Sequence, residues 1–189
     1  MNINTCNKCD ISLSRKTIVS GNGNTNKNGL MFIGEAPGYY EDKYGVPFIG
    51  NSGILFNNLL KLIGLTRNNV YTTNIIKCRP PNNRSPLIRE INNCLPYLKQ
   101  ELILYNPKII VLLGNIALNV YFNKNNLKIS DFRGYIIPIN NKIIIATYHP
   151  AYVLYNKSND NLIKSYTNDF INIGLMYKRY VNPFITFNF

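Results

Sequence analysis

The side chains best suited to chemistry follow a short apolar run at residues 30–33, a pattern typical of a buried parallel strand. Gly34 and Gly38 bracket the small residue Ala36 and end that run, because glycine lets the backbone turn sharply and lets a ligand approach closely. Three carboxylates and one aromatic ring follow in the same stretch: Glu35, Glu41, Asp42 and Phe48. These residue types suit a pocket for a flat polar ring. The alternative is an ordinary strand-to-helix connection whose acids are solvated.

Two more polar side chains are expected at the same edge of a sheet. Residues 70–76 are predicted to form a strand with Asn74 near its carboxyl end, and His149 follows an apolar strand at residues 142–146. Ligands of open α/β sheets bind beyond the carboxyl ends of the strands. A lone histidine is more often structural than catalytic, but this position favours a shared site with Glu35 and Asn74.

The cysteines form a second group with the residue types of a metal centre. Cys6 and Cys9 make a Cys-x-x-Cys pair, and Cys78 and Cys94 follow at a wider spacing. The four thiols can converge if Cys78 ends a strand and Cys94 lies on the next helix. Four thiolates can hold zinc or an iron–sulfur cluster, and the spacing does not choose between them. Buried free thiols are the remaining alternative.

The elements that position these groups predict a single α/β domain over residues 1–189, with the tail from about residue 179 to 189 unassigned. After the second strand, Ser85 is expected to cap a long helix with Pro86 at its first position. That helix should run to about residue 105, and Pro96 should kink it or split it.

Shorter elements complete the pattern. A helix is predicted with Asn51 or Ser52 as its capping residue, and a third strand is predicted at residues 108–113. Asn140 and Asn141 indicate a tight hairpin, whose second arm would join the sheet as the fourth strand. The last helix is expected over residues 160–177.

Composition and charge narrow the class of protein. Hydrophobic residues make up 46% of the 189 residues, and 21 Lys plus Arg against 9 Asp plus Glu give a formal net charge of +12. Such a charge attracts polyanions, nucleic acid first, although excess lysine can also serve only solubility. The sequence contains no run of about 18 apolar residues, so no membrane span is predicted. Its first twenty residues lack the apolar core of a signal peptide, so secretion is not expected. A reducing, intracellular compartment is therefore expected, which disfavours disulfides.

Four blocks in the chain resemble one family, the iron–sulfur, family-4 type of uracil-DNA glycosylases in the uracil-DNA glycosylase superfamily. They are Gly-Glu-Ala-Pro-Gly-x-x-Glu-Asp at 34–42, Gly-x-Pro-Phe-Ile-Gly at 45–50, Thr-Asn-Ile-Ile-Lys-Cys-Arg-Pro-Pro-x-Asn-Arg at 73–84 and His-Pro-Ala-Tyr at 149–152. The order and spacing of the cysteines match as well. Together the blocks are far more specific than any one of them alone.

The resemblance implies a three-layer α/β/α fold with a central, mostly parallel four-stranded sheet. It implies hydrolysis of the N-glycosidic bond of deoxyuridine in DNA. It also implies a structural [4Fe–4S] cluster on four ligands, Cys6, Cys9, Cys78 and Cys94. The implied partner is uracil-containing DNA. The protein is expected to be a monomer that does not act at a membrane and that a replication or repair complex can recruit.

The resemblance also implies roles around a uracil that has been flipped out of the helix. Phe48 would stack on the base, and the amide of Asn74 would pair with O4 and N3–H. His149 would donate a hydrogen bond to O2 and stabilise the departing anion. Gly34 and Ala36 would complete the base pocket.

The water and the phosphates are assigned to other side chains. Glu35 is the preferred residue to orient water, Glu41 is expected to shape the pocket floor, and Asn83 would help to hold that water. Arg79 and Arg84 would contact phosphates.

One departure from the family keeps two other interpretations open. Val153, Leu154 and Tyr155 stand where the family usually has a leucine pair and an arginine, which removes a phosphate contact. The chain could therefore be a catalytically inactive member that acts as a DNA- or RNA-binding or structural subunit of a larger assembly. A zinc-binding nucleic-acid module is the third interpretation.

Overall fold

A single six-stranded sheet runs through the protein, whose computed structural model describes residues 3–187. Its strands are β1 (Asn22–Gly23), β2 (Leu30–Gly34), β3 (Val70–Asn74), β4 (Ile109–Leu113), β5 (Ile136–Ile139) and β6 (Lys142–Thr147). The order across the sheet is β1-β3-β2-β4-β6-β5. The four central strands are parallel, and β1 and β5 are antiparallel edge strands. The mostly parallel α/β sheet is confirmed, but the predicted number of four strands is wrong.

Helices pack on both faces of the sheet. They are α1 (Tyr39–Tyr44), α2 (Asn51–Leu62), α3 (Ile88–Tyr105), α4 (Gly114–Phe122), α5 (Ile129–Phe132), α6 (Pro150–Tyr155) and α7 (Asp160–Tyr180). One core, with α2, α6 and α7, buries Leu30 and Phe32, whereas the other, with α3 and α4, buries Met31 and Ile33. Alternate residues of β2 thus enter opposite cores, which explains its continuous apolar pattern. The result is the predicted three-layer arrangement.

The predicted sheet lacked both edge strands, β1 and β5, for local reasons. β1 is only two residues long and carries no apolar signal. The hairpin of β5 and β6 was predicted, and its turn residues Asn140 and Asn141 adopt positive φ angles of 47° and 63°, as a two-residue hairpin turn requires. The first arm of that hairpin extends the sheet as well.

The long helix α3 begins later than predicted. Its N-cap is Leu87, so Ser85 does not cap it and Pro86 is not its first residue. The buried carboxylate of Glu90 instead accepts the Leu87 N–H at 2.8 Å, while the Ser85 hydroxyl is hydrogen-bonded to Glu35. α3 also continues through Pro96 as one helix and is not split.

The end of the chain packs against the rest of the molecule. α7 reaches Tyr180, three residues beyond the predicted end. Ile185, in the tail that had no predicted structure, is buried in the core with α2 and α7. Residues 188 and 189 lie outside the described part of the chain. None of the helices within residues 3–187 combines the length and the apolarity needed to span a membrane.

A buried carboxylate ties α7 to the end of β6. Asp169, 1% exposed, accepts hydrogen bonds from the Arg133 guanidinium at 2.6 and 3.1 Å and from the Thr147 hydroxyl at 2.6 Å. Burial raises the pKa of Asp169, and the Thr147 and Arg133 contacts oppose that rise. Thr147 is the last residue of β6, so this network fixes the strand end from which the chain reaches His149.

Replacing Asp169 by alanine should therefore destabilise the fold strongly. The change leaves a largely buried guanidinium unpaired, which typically costs about 3–5 kcal/mol of unfolding free energy. Chemical denaturation would measure the loss. The control is Arg89→Ala, which breaks an exposed ion pair with Asp10 and should change stability far less. Equal losses in the two variants would contradict this role of Asp169.

Candidate active site

Three groups predicted to bind one ligand meet around Gly34. Gly34 at the end of β2 is paired in register with Asn74 at the end of β3. A Cβ atom at Gly34 would clash with Oδ1 of Asn74 and with the ring tip of Phe48, and it would lie 3.5 Å from Nε2 of His149. Glycine is required here because any side chain would fill the space between these groups. An amide, an aromatic ring and an imidazole nitrogen thus border one small space.

The ring of Phe48 forms one wall of that space. Phe48 has a φ angle of 57°, a left-handed backbone conformation that is unusual for an aromatic residue. Its carbonyl group lies so close to Gly53 that a Cβ atom there would overlap with it. The ring lies 5.3 Å from the Phe56 ring and 6.0 Å from the His149 ring, measured between centroids. The phenyl group is thereby held between the core and the imidazole.

Two charged side chains clamp the loop on either side of Phe48. Oε1 of Glu41 accepts the N–H groups of Ile49 and Gly50 at 3.1 and 3.0 Å. Nη2 of Arg67 donates to the carbonyl oxygen of Pro47 at 2.8 Å. Glu41 is buried and supports the loop that carries Phe48, and its expected place in the pocket floor stays a prediction. A direct catalytic role for Glu41 stays a prediction.

The imidazole of His149 is set up as a neutral hydrogen-bond donor. Its Nδ1 accepts the N–H of Ala151 at 3.2 Å and so caps the start of α6. Because Nδ1 accepts, the proton of the neutral ring must reside on Nε2, the atom that faces Gly34. Burial lowers the pKa of His149 to about 4. The ring therefore offers an N–H group, without a positive charge, to a ligand at neutral pH.

Asn74 is held from behind by a buried lysine. Nζ of Lys77 donates to the carbonyl oxygen of Asn74 at 2.9 Å, to the Thr73 hydroxyl and to Oε2 of Glu101 at 2.7 Å. Lys77 is 1% exposed, so its ammonium group adds no charge to the surface of this loop. Its charge is used inside the protein, where it fixes the backbone that presents the Asn74 amide.

Glu35 lies next to these groups in a partly buried position. Its carbonyl oxygen accepts the Ile76 N–H at 3.2 Å, which continues the pairing of β2 and β3 past their ends. Burial raises the pKa of the Glu35 carboxyl, and a hydrogen bond with Ser85 partly offsets that rise. A raised pKa makes a carboxylate a stronger base, as orienting and deprotonating water requires.

The predicted outer residues lie at the rim of the site. Nε of Arg79 donates to Oδ1 of the exposed Asn83 at 2.7 Å, and its guanidinium lies 5.2 Å from the Tyr39 ring. Arg84 is engaged in two hydrogen bonds to the buried Glu90, at 2.7 and 2.9 Å. Phosphate contacts by Arg79 and Arg84 and a water contact by Asn83 stay predictions.

Some residues that support the site were not found from the sequence. Arg67 holds the Phe48 loop, and Lys77 with Glu101 holds Asn74. A charged residue in a loop or on a helix predicts exposure, so nothing in the local pattern distinguishes these three. The only available signal was that Lys77 lies inside one of the four family-like blocks.

The four cysteines line one cavity, formed by the N-terminal segment, the loop after β3 and α3: Cys6, Cys9, Cys78 and Cys94. Lys77 N–H donates to Cys94 Sγ at 3.3 Å, and Arg15 Nη1 lies 3.6 Å from Cys78 Sγ. Burial raises the pKa of Cys78 to about 11 and that of Cys94 to about 12. Among residues 3–187, no three side chains of His, Cys, Asp or Glu lie close enough together to bind a single metal ion.

Comparisons with known proteins match most of the chain. The sequence profile described as "Uracil DNA glycosylase superfamily" matches residues 20–171. A protein of Archaeoglobus fulgidus named "Type-4 uracil-DNA glycosylase" is 42% identical over 179 residues, covering 91% of this chain and 88% of that protein. Two proteins of the same name also match. The one from Thermotoga maritima is 40% identical, covering 84% of this chain and 82% of that protein. The one from Sulfurisphaera tokodaii is 42% identical, covering 93% of this chain and 83% of that protein.

The single histidine should remain neutral through the physiological pH range. We expect the one imidazole signal in NMR spectra of the folded protein to stay unshifted between pH 8 and pH 5, about one unit above the pKa of about 4. The unfolded chain in urea provides the control, with a midpoint near 6.5. Because the unfolded chain then takes up the proton first, His149 lowers stability as pH falls from 6.5 toward 4. A folded-state midpoint near 6.5 would contradict the assignment.

Proposed function

Because this chain belongs to the uracil-DNA glycosylase superfamily, within its type-4 branch, we propose that it removes uracil from DNA by hydrolysing the N-glycosidic bond of deoxyuridine. One observation carries the assignment to this chain's own residues. The Asn74 amide, the Nε2–H of His149 and the Phe48 ring border a single space at Gly34. These are the three kinds of contact that a flipped uracil needs.

Recognition of uracil is assigned to the ring and the amide. A base inside a duplex is out of reach, so the nucleotide must first leave the stack. Phe48 would then stack on the face of the base, a contact that contributes about 1–3 kcal/mol in other proteins. The Asn74 amide would accept N3–H and donate to O4. Cytosine presents the opposite pattern and would leave buried polar groups unpaired, which is a strong basis for rejection.

Bond cleavage is assigned to His149 and Glu35. As the bond between C1′ and N1 breaks, its electron pair moves onto uracil, and negative charge develops on O2. The Nε2–H of His149 would donate to that oxygen, a stabilisation specific to the transition state. Water would add to C1′ and give its proton to the Glu35 carboxylate, leaving an abasic site and the uracil anion. The anion would then take up a proton from solvent, and Glu35 would return its proton to solvent. Glu41 would act indirectly, through the loop that holds Phe48.

We also propose that the four cysteines hold a [4Fe–4S] cluster, with zinc as the alternative. The set of four sulfur donors around one cavity fits such a group, and the N–H donors from Lys77 and Arg15 suit coordinating thiolates. When bound, the cluster would serve as a structural link. The residues themselves would then join the N-terminal segment to the loop after β3 and to α3, close to the backbone of Asn74.

The protein would act as a monomer on uracil-containing DNA, and a replication or repair complex would recruit it. Its thiols would require a reducing intracellular compartment to remain available for the cluster.

The catalytic assignment predicts that purified protein releases uracil from a DNA oligonucleotide, detected by alkaline cleavage at the abasic site. Glu35→Gln should lower the single-turnover rate about 100-fold or more, because it removes the base that takes the proton from water. Binding of an uncleavable oligonucleotide should be retained. Asp131→Asn, an exposed substitution on α5, is the control. An unchanged rate for Glu35→Gln would remove Glu35 from this role, and DNA binding by wild type without uracil release would support the inactive-member interpretation.

The cluster assignment predicts that the protein is brown and contains iron and sulfide in equal amounts. Replacing Cys94 with serine should bleach the visible absorbance and lower the denaturation midpoint, since one of the links between the N-terminal segment and α3 is lost. Metal analysis and visible spectra of both proteins would measure this. A colourless wild-type protein that retains zinc would overturn the cluster in favour of the alternative.

A further inference from the structure

Three tyrosines lead away from the pocket along α6. Tyr148 is partly buried beside His149, Tyr152 is 50% exposed and Tyr155 is 89% exposed. The rings of Tyr148 and Tyr152 are stacked, with centroids 5.1 Å apart and planes at 30°. The guanidinium of Arg133 lies 5.6 Å from the Tyr148 ring. We call Tyr148, Tyr152 and Tyr155 the tyrosine row.

The row is continuous with the pocket through its first member, Tyr148, which precedes His149 in the chain and stacks on Tyr152. Tyr152 and Tyr155 are three residues apart on α6 and so lie on one face of that helix. The opposite side of α6 packs inward through Val153, which is 3% exposed. α6 begins at the residue after His149, whose Nδ1 caps it. The row therefore starts at the imidazole and runs outward from the mouth of the pocket.

The outer rings of the row differ from three of the other exposed tyrosines, Tyr39, Tyr44 and Tyr180, although not from Tyr40 and Tyr135. The guanidinium of Arg79 and the ammonium of Lys16 lie over the Tyr39 ring, and cations also lie over Tyr44 and Tyr180. Within residues 3–187, no cation lies over the ring of Tyr152 or Tyr155. These two rings keep a face open to a planar group. A nucleobase is such a group, and base stacking on aromatic rings tolerates any sequence.

We propose that Tyr152 and Tyr155 stack on the bases adjacent to the flipped uracil, so that the enzyme prefers DNA in which those bases are unpaired. This inference rests on the proposed function, because it takes the pocket at Gly34 as the uracil site. A paired base is already stacked within its duplex and offers its face less readily. At position 155 the chain thus replaces a phosphate contact, which an arginine would make, with contact to a base.

The first test compares binding to single-stranded and duplex oligonucleotides that carry one uncleavable deoxyuridine. Tyr155→Ala should weaken single-strand binding about tenfold, in line with the loss of one base stack, and duplex binding much less. Tyr155→Phe keeps the ring and should restore affinity. The matched control is Phe184→Ala, which removes an equally exposed ring, also 89%, from the segment after α7.

The second test asks whether the ring contacts a base. The same measurements are made with oligonucleotides in which the nucleotide on one side of the uracil, then on the other, lacks its base. For the side that Tyr155 contacts, Tyr155→Ala should have no further effect once the base is absent. Tyr155→Arg should instead steepen the salt dependence by about one phosphate contact.

The outcomes separate this inference from the function on which it rests. If wild type releases uracil but Tyr155→Ala binds single strands normally, or loses affinity equally with and without the neighbouring bases, the stacking role is overturned and the glycosylase function stands. If wild type releases no uracil but the base-dependent loss is found, stacking stands and the proposed function falls. Preference for duplex over single-stranded DNA in wild type would also overturn the inference.

Discussion

One buried ammonium group joins the parts of this protein that must stay together. Nζ of Lys77 donates to Thr73 and Asn74 at the end of β3 and to Glu101 on α3. The backbone N–H of the same residue donates to Sγ of Cys94. A charge in so dry a place is tolerated only when all its hydrogen bonds are made and an opposite charge is adjacent. The fold satisfies both conditions, and the backbone of Asn74 and the cysteine cavity therefore share one rigid support.

Acidic residues are used in the same way, as internal clamps. Of the nine Asp and Glu residues, four are buried: Glu41, Asp42, Glu90 and Asp169. Each holds a neighbouring segment by hydrogen bonds to backbone N–H groups, to a guanidinium or to a hydroxyl. These carboxylates therefore position loops inside the protein and do not neutralise the positive charge of its surface. The cations left outside dominate the electrostatic field around the molecule.

Sequence patterns located the central strands and the groups at their ends because both follow short-range rules. Apolar runs predicted β2 and β4, and the polar residues at the strand ends predicted that Glu35, Asn74 and His149 would lie at one edge of the sheet. The start of α3 was misplaced because Glu90, rather than Ser85, satisfies its first N–H group. The burial of Lys77 and the support given by Arg67 depend on partners far away in the chain, which local periodicity does not encode. The two-residue β1 exists only through its pairing with β3.

The scarcity of exposed carboxylates has a consequence for how the molecule finds a lesion. Apart from partly covered acids, only Asp10, Asp131 and Asp160 lie exposed on the described surface, so little interrupts its attraction to a polyanion. A protein held by many interchangeable phosphate contacts can slide along a strand without leaving it. Its search is then one-dimensional over short distances, and neighbouring lesions on one strand are met in succession during a single encounter. The burial of carboxylates as internal clamps thereby affects how the protein moves along DNA as well as how it folds.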